Sequence, residues 1–287
     1  MTSYGNSYTH DIMSHYVQSE KMDYDYAKPR EVCYQTDEAF LNRSLPDFIA
    51  TSLQSIEQAI VGKNLIFRRA TVADIEQLFA FIKTRYPLEI AEEISTYDIY
   101  RFITFGHGFV VQEPHGSIVA CLFEVGYDTP DRTSYTLRLA VDPVLSGLNI
   151  GQALIEYSCL LAMKRGSKVK RGLLDLENFP SAHILINKVG WIAEAFYPDL
   201  APLGTCFTIC LPLDKRGFLQ NRVNISALPL YMANKKEDKD YIIAPAHSIE
   251  YIDQAYKDNF RVIAYIKKGV VNQHDNFFLV PASVLYS

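Results

Sequence analysis

The sequence lacks several features that would place it in a large class of proteins. No apolar run approaches the ~18 residues that a membrane-spanning helix needs. The N-terminal stretch has no basic region followed by an apolar core, as a secretory signal has. We therefore expect no membrane partner and no secretion.

Cysteine is scarce, with five among 287 residues. They are Cys33, Cys121, Cys159, Cys206 and Cys210. The number is odd, the positions are scattered, and none has the paired His or Cys spacing of a zinc site. We expect reduced, mostly buried thiols in a reducing compartment, the cytoplasm, with neither a disulfide framework nor a metal site.

Positive charge is also in short supply. The 28 Lys and Arg residues face 33 Asp and Glu, which gives a formal net charge of −5. Proteins that bind nucleic acid usually carry a basic surface, so we expect no nucleic-acid partner. The hydrophobic content of 48% is typical of a packed globular core. The length suits one large domain, or one domain with a smaller module.

The pattern along the chain divides it into three parts. Residues 1–64 form a tyrosine-rich arm followed by a helix, and the aromatic content of the arm favours docking over disorder. Residues 65–213 predict a strand, two helices, three antiparallel strands, a helix, a strand, a helix and a strand. Residues 214–287 predict a small β-α-β-β extension. The extension could lengthen the sheet, cover a substrate site or form a homodimer contact, and the arm could do either of the last two.

A turn with two glycines separates a predicted strand from a predicted helix at VDPVLSGLNIGQAL, residues 141–154. The N-terminus of a helix exposes unpaired N–H groups and a partial positive charge. Glycine in front of it lets phosphate oxygens approach the backbone. The turn is therefore either an anion cradle or a plain connection that needs glycine for its geometry.

Two known phosphate-binding motifs do not fit this turn. A Walker A loop ends in Gly-Lys-Ser/Thr, and no lysine lies between Val141 and Met163. A dinucleotide fingerprint needs three glycines spaced G-x-G-x-x-G at the start of a parallel βαβ unit. Here Gly147 and Gly151 are four residues apart and follow strands predicted to be antiparallel.

The turn resembles instead the coenzyme A motif of the GNAT acyltransferase superfamily, Gln/Arg-x-x-Gly-x-Gly/Ala. The matching positions are Val141, Pro143, Gly147, Ile150, Gly151 and Leu154. Ser146 stands where the family has Gln or Arg, and Asn149 stands at its middle Gly. The segments FRRATVADIEQL and LENFPSAHILINKVGW also resemble family elements, so the resemblance covers roughly residues 65–212.

The resemblance implies a mixed α/β (α+β) fold whose central sheet is mostly antiparallel and flanked by helices. It implies acetyl-CoA, or another acyl-CoA, as co-substrate. Backbone amides of the turn would hold its pyrophosphate, and an amide near a strand bulge would polarise the thioester carbonyl. The implied cofactor-binding residues are Leu139, Ala140, Val141, Ser146, Gly147, Leu148, Asn149, Ile150, Gly151, Gln152 and Asn178.

Acyl transfer to an amine needs a base that keeps the amine neutral. Glu124 lies between apolar residues on a strand expected to be central, where a carboxylate is costly unless it is paired or used. It lies either on a solvated face or at the reacting centre as the base. Asp128 and Tyr135 are weaker candidates near strand ends.

The leaving thiolate needs a proton. The family tyrosine that often supplies it corresponds to Ile186, which has no proton to donate. Tyr135, Tyr197 or a water molecule would have to replace it. Asn178 matches a family Asn that often contacts the pantetheine arm or a nearby water, and it equally suits the N-cap of the following helix.

Three functions stay open. The first is acetyl transfer from acetyl-CoA to a primary amine of a small molecule or peptide. The second is transfer of a longer acyl group from CoA or a carrier protein. The third is a GNAT-like module that binds CoA, or no ligand, and regulates or scaffolds. Ser146, Asn149 and Ile186 favour the third.

Overall fold

One mixed sheet organises the protein. The computed structural model describes residues 27–86, 91–92, 94–126, 132–200 and 204–285. The strands are β1 (Ile66–Arg69), β2 (His107–Gln112), β3 (Ile118–Val125), β4 (Thr133–Val141), β5 (Val169–Asp175), β6 (Ile192–Leu200), β7 (Gly204–Pro212), β8 (Ile242–Pro245), β9 (Phe260–Ile266) and β10 (Asn276–Pro281). Their order in space is β1-β2-β3-β4-β5-β7-β6-β9-β10-β8. Only β4 and β5 pair in parallel among these described strands, so the predicted mixed, mostly antiparallel sheet is confirmed.

Helices cover both faces of this sheet. They are α1 (Glu38–Leu41), α2 (Leu45–Val61), α3 (Ile75–Lys83), α4 (Thr96–Phe105), α5 (Ile150–Lys164), α6 (Phe179–Ala182), α7 (Lys215–Gln220), α8 (Leu228–Ala233) and α9 (Ile249–Lys257). A π-helix, His183–Val189, continues α6. Short 3₁₀ turns lie at Arg30–Val32, Val72–Asp74, Pro143–Leu145, Ile225–Ala227 and Ala282–Val284. Within the described ranges, no helix has the length and hydropathy needed to cross a bilayer.

Local sequence explains where several helices begin. Ser44 caps α2 by accepting a hydrogen bond from the Asp47 amide. Thr71 and Asp74 form the predicted capping box ahead of α3. Helix α4 begins with a second capping box and ends at Phe105, with Gly106 as its C-cap. The predicted segment before it, from Pro87, lies partly outside the described residues.

The core is shared along the sheet. One apolar cluster joins α2 and α5 to the inner strands and reaches β9 and β10. For example, Phe207 of β7 packs edge-on against Phe277 of β10, with 5.2 Å between ring centroids. A separate cluster lies between α3, α4 and the other face of β2–β4. The C-terminal strands therefore lengthen the sheet, one of the three roles left open for them.

The arm docks on the body over the part that the structure describes. Cys33 bridges Val223 in an antiparallel pairing, and the Asn224 amide donates to the Val32 carbonyl at 2.8 Å. All five cysteines are buried and free, which confirms the prediction of buried, unpaired thiols.

Strand β6 corrects the predicted element order, which had no strand between the last helix and β7. Strand β7 pairs with both β5 and β6, so β6 lies beyond β7 in the sheet. The residues at the start of β6, including Glu194, are buried in succession, so the sequence has no apolar–polar alternation there. Pro198 and Asp199 further weaken its strand pattern.

Candidate functional site

A fork between two parallel strands forms the centre of the candidate site. Residues 133–135 of β4 pair with residues 169–171 of β5, and the pairing stops there. Beyond that point β4 continues to pair with β3, and β5 continues to pair with β7 as far as Asp175. The two inner edges therefore present backbone groups to the space between the strands, where a ligand can bond to them.

A bulge distorts β4 at the fork. The register with β3 shifts between the pairs Phe123–Leu137 and Cys121–Ala140. Arg138 has a φ of 50°, in the left-handed region that few non-glycine residues adopt. The Tyr86 hydroxyl donates to the Leu139 carbonyl at 2.8 Å and so fixes the residue after the distortion. Bulges of this kind re-aim backbone groups next to active sites.

The glycine turn leads from the bulge into α5. Gly147 has a φ of 80° and Asn149 has a φ of 57°. Asparagine tolerates this left-handed geometry, so Asn149 can adopt a backbone conformation that otherwise favours glycine. Asn149 is the N-cap of α5, yet its side chain makes no capping hydrogen bond. The first bond at this end of the helix runs from the Ala153 amide to the Asn149 carbonyl.

The amides that precede this bond are available to an anion. Those of residues 150–152 have no intrahelical acceptor, because a helix leaves its first N–H groups unpaired. A Cβ added at Gly147 would meet no atom within 4 Å, so the turn opens outward there. The turn thus combines free donors, a helix dipole and open space, which suits a phosphate.

Gly151 marks where the turn meets the fork. A Cβ added there would lie 3.4 Å from Ile184, 3.5 Å from Val141 and 3.8 Å from Leu139. The strand end, the helix start and the π-helix therefore converge on this buried glycine. Its neighbours are aliphatic, and such walls suit a flexible, weakly polar chain leading from the phosphates into the fork.

The structure assigns Asn178 the capping role that its position allowed. Its side-chain oxygen accepts a hydrogen bond from the Ser181 amide at 3.2 Å. The side chain of Ile186, which the resemblance aligned with a proton-donating tyrosine, is fully buried. Its carbonyl accepts a hydrogen bond from the Lys28 ammonium at 2.6 Å. Burial lowers the pKa of Lys28 to about 7.

Glu124 is buried and paired, so its predicted solvated-face alternative is wrong. The Lys170 ammonium lies 2.5 Å from its carboxylate, and both side chains are fully buried. The Ser158 hydroxyl of α5 donates to the second carboxylate oxygen at 2.7 Å. The strand is buried on both faces, and the ion pair compensates the carboxylate there. The catalytic role of Glu124 stays a prediction.

The two catalytic candidates on neighbouring strands are not brought together. Glu124 is opposite Thr136 in the ladder, whereas Tyr135 is opposite Val125. Cross-strand partners share a face and successive residues alternate, so the carboxylate and the phenol point to opposite sides of the sheet. Tyr135 is buried, and Tyr197 lies on β6, two strands from β5. Asp128 lies outside the described residues.

Sequence reasoning missed the partner of Glu124. Lys170 lies in the run SKVKRGLLDL, where a charged residue inside an apolar strand signals a buried partner. The same run contains Arg171, which pairs with buried Glu194 at 3.3 Å. Nothing in the spacing of the sequence connects either cation to its acid.

This chain has matches among solved structures but none among family models or curated proteins. A scan of protein-family models finds no match, and a search of curated proteins finds none either. Among solved structures, a ribosomal-protein-S18-alanine N-acetyltransferase from Escherichia coli is 14% identical, with a TM-score of 0.44, and spans 52% of this chain and 94% of its own. An acetyltransferase of the GNAT family from Streptococcus pneumoniae is 13% identical, with a TM-score of 0.45, and the alignment covers 52% of this chain and 99% of that one.

A third match is the NatC complex bound to Gag peptide and CoA, at 14% identity and a TM-score of 0.45. The alignment covers 53% of this chain and 99% of the matching chain. The matched lengths correspond to one segment of this chain and to nearly all of each matching chain. The first two of these structures are acetyltransferases, and each aligns with about half of this chain.

Proposed function

We propose that this chain is an acyl-CoA-dependent N-acyltransferase. In this proposal it transfers acetyl from acetyl-CoA to a primary amine of a small molecule or peptide, by direct attack of the amine on the thioester. The observation that carries the proposal is the fork between β4 and β5, which ends at a turn whose helix amides are free. One extended ligand with a phosphate end and a reactive end fits that path.

The residues along this path suit coenzyme A. The amides of Ile150 and Gly151 would bind the pyrophosphate, as electrostatics at a helix N-terminus favours. The aliphatic walls at Leu139, Val141 and Ile184 would contact the pantetheine chain. Bound acetyl-CoA supplies the activated acyl group.

The bulge would assist the chemistry. An amide displaced from the ladder near Arg138 and Leu139 can donate to the thioester oxygen, on which negative charge develops during attack. Because Ile186 has no proton to give, we propose that water protonates the leaving thiolate. Tyr135 and Tyr197 are the side-chain alternatives, and Glu124 is the predicted base. We also place the protein in the cytoplasm and expect a homodimer contact at the arm or the extension.

A second function keeps the same cofactor without catalysis. Ile186 removes the usual acid, and the Glu124 carboxylate is already bonded to Lys170 and Ser158. Both features favour a CoA-binding regulatory module. A longer acyl group is the third variant, since nothing in the described residues fixes the acyl chain length.

Titration and turnover separate these functions. Calorimetry with acetyl-CoA tests binding, and release of free CoA in the presence of amine acceptors tests transfer. The acceptors would be a polyamine and a peptide with a free N-terminus. Binding with turnover supports the enzyme, and binding without turnover for any acceptor supports the module. No binding up to millimolar acetyl-CoA would overturn both.

A further inference from the structure

A groove of about 670 Å³ lies beside the start of α5. We call it the arm groove; its lining includes Tyr34, Asp37, Asn149, Gln152, Lys188 and Arg222. The volume lies within the range of small-molecule sites, roughly 300–1,000 Å³. Asn149 and Gln152 belong to the same turn and helix start that would hold the pyrophosphate.

Most of the groove comes from outside the segment that resembles the acyltransferase family. Tyr34 lies on the arm, and Arg222 follows α7. The Tyr34 amide donates to the Arg222 carbonyl at 2.9 Å, next to the bridge between Cys33 and Val223. This pairing fixes the arm as the outer wall of the groove.

Two cations face this groove. Arg222 pairs with Glu156 at 3.0 Å, and the Gln152 amide donates to the same carboxylate oxygen at 3.0 Å. Lys188 is exposed and makes no ion pair within the described part of the chain. The exposed ring of Tyr34 offers a flat apolar surface in the same place. A ligand with a phosphate and an aromatic ring matches these groups.

Resting on the proposed function, we propose that the arm groove binds the 3′-phosphorylated adenosine end of coenzyme A. Lys188 and Arg222 contact the 3′-phosphate, and the adenine stacks on Tyr34. The nucleotide is joined covalently to the pyrophosphate at the turn, so it must enter a space that begins at Asn149 and Gln152. The arm is thereby part of the cofactor site.

A second groove beside the turn is the competing location. It has a volume of about 620 Å³, and its lining includes Lys63, Glu113, His115, Leu145 and Leu148. His115 lies 2.9 Å from the Glu113 carboxylate. Its single lysine suits a phosphate less well than the lysine and arginine of the arm groove, and none of its lining residues offers an indole, phenol or phenyl ring to adenine.

Binding of acetyl-CoA and of acetyl-dephospho-CoA, which lacks the 3′-phosphate, tests the assignment. The wild-type protein should prefer acetyl-CoA about tenfold, the value of one charge-assisted hydrogen bond. Lys188→Ala should remove most of this preference without changing the affinity for the dephosphorylated form. Lys63→Ala is the matched control and should change neither affinity. Loss of the preference in Lys63→Ala, or its survival in Lys188→Ala, would overturn the proposal.

Aromatic replacements test the adenine contact separately. Tyr34→Ala should weaken both ligands several-fold, and Tyr34→Phe should weaken neither. Equal affinity of all three proteins would overturn the stacking role. If the wild-type protein binds both ligands equally while Gly151→Asp abolishes binding, the arm groove is wrong and the proposed function stands. If it binds neither ligand, the proposed function itself fails.

Discussion

Lys170 and Glu124 form a buried ion pair one residue before the fork. Their charged atoms are 2.5 Å apart and both side chains are fully buried. Lys170 is opposite Ser134 in the last part of the β4–β5 ladder, and its ammonium also lies 2.6 Å from the Ser158 hydroxyl of α5. The pair thus joins β3, β5 and the helix that begins at the glycine turn.

Breaking this pair should destabilise the protein. Lys170→Met leaves the Glu124 carboxylate buried without its cation, and we expect the free energy of unfolding to fall by about 3–5 kcal/mol. The double replacement Glu124→Leu with Lys170→Met should lose less, because it removes both charges. Urea unfolding of both proteins checks this. Equal losses would show that the two charges do not compensate each other.

Glu124→Gln separates structure from catalysis at the same site. If Glu124 is the base, the variant lowers turnover more than it weakens CoA binding. If its role is only to hold Lys170, stability falls and turnover per folded molecule is unchanged. Steady-state kinetics, corrected for the folded fraction by urea unfolding, distinguishes the two outcomes.

The charge at Gly151 is expected to control cofactor binding. Asp and Asn are nearly the same size, so both Gly151→Asp and Gly151→Asn crowd Ile184 and Val141 equally. Only Asp adds a negative charge beside the free amides of α5. We expect Gly151→Asp to bind CoA at least tenfold more weakly than Gly151→Asn, by calorimetry.

Gly147→Pro extends this test to the turn itself. Proline cannot adopt the φ of 80° found at this position, so the variant should lose CoA binding. Circular dichroism should still report a folded protein, since the turn is exposed. Unchanged affinity in both Gly147→Pro and Gly151→Asp would contradict a phosphate site at this turn.

Local patterns predicted much of this fold, and long-range pairs could not be predicted. The spacing of apolar residues located β2 to β5 and α5, and the spacing of glycines located the turn. Both patterns can be recognised within a short stretch of sequence. Nothing local links Glu124 to Lys170, which is 46 residues away. The arm groove likewise joins Tyr34 to Arg222, from opposite ends of the acyltransferase-like segment.

Acid should weaken the contact between Asp74 and Arg68. Hydrogen bonds from Arg68 lower the pKa of Asp74 from 3.8 to about 2. A carboxyl whose pKa is lower in the folded protein adds stability above its unfolded pKa, and that stability is lost as the pH falls from 3.8 to 2. The thermal unfolding temperatures of the wild type and of Asp74→Asn should therefore converge as the pH falls across this window. A constant difference between the two proteins would contradict the prediction.

Lys28 should make stability depend on pH above neutrality. Burial lowers its pKa from 10.5 to about 7, so above pH 7 the folded protein holds this lysine uncharged while the unfolded chain still binds the proton. Stability must then rise with pH, by up to about 1.4 kcal/mol per unit. The buried thiols, whose pKa values are raised, act against this trend above pH 9, so pH 7 to 8.5 is the useful window.

The variant Lys28→Met isolates this contribution. It removes the titrating group and the hydrogen bond to the Ile186 carbonyl, but it keeps an unbranched side chain of similar length. We expect the unfolding free energy of the wild type, relative to Lys28→Met, to increase between pH 7 and 8.5 in urea titrations. A difference that is flat across this range would mean that Lys28 keeps its proton in the folded protein throughout it, as a solvated lysine does. In that case burial does not set its protonation.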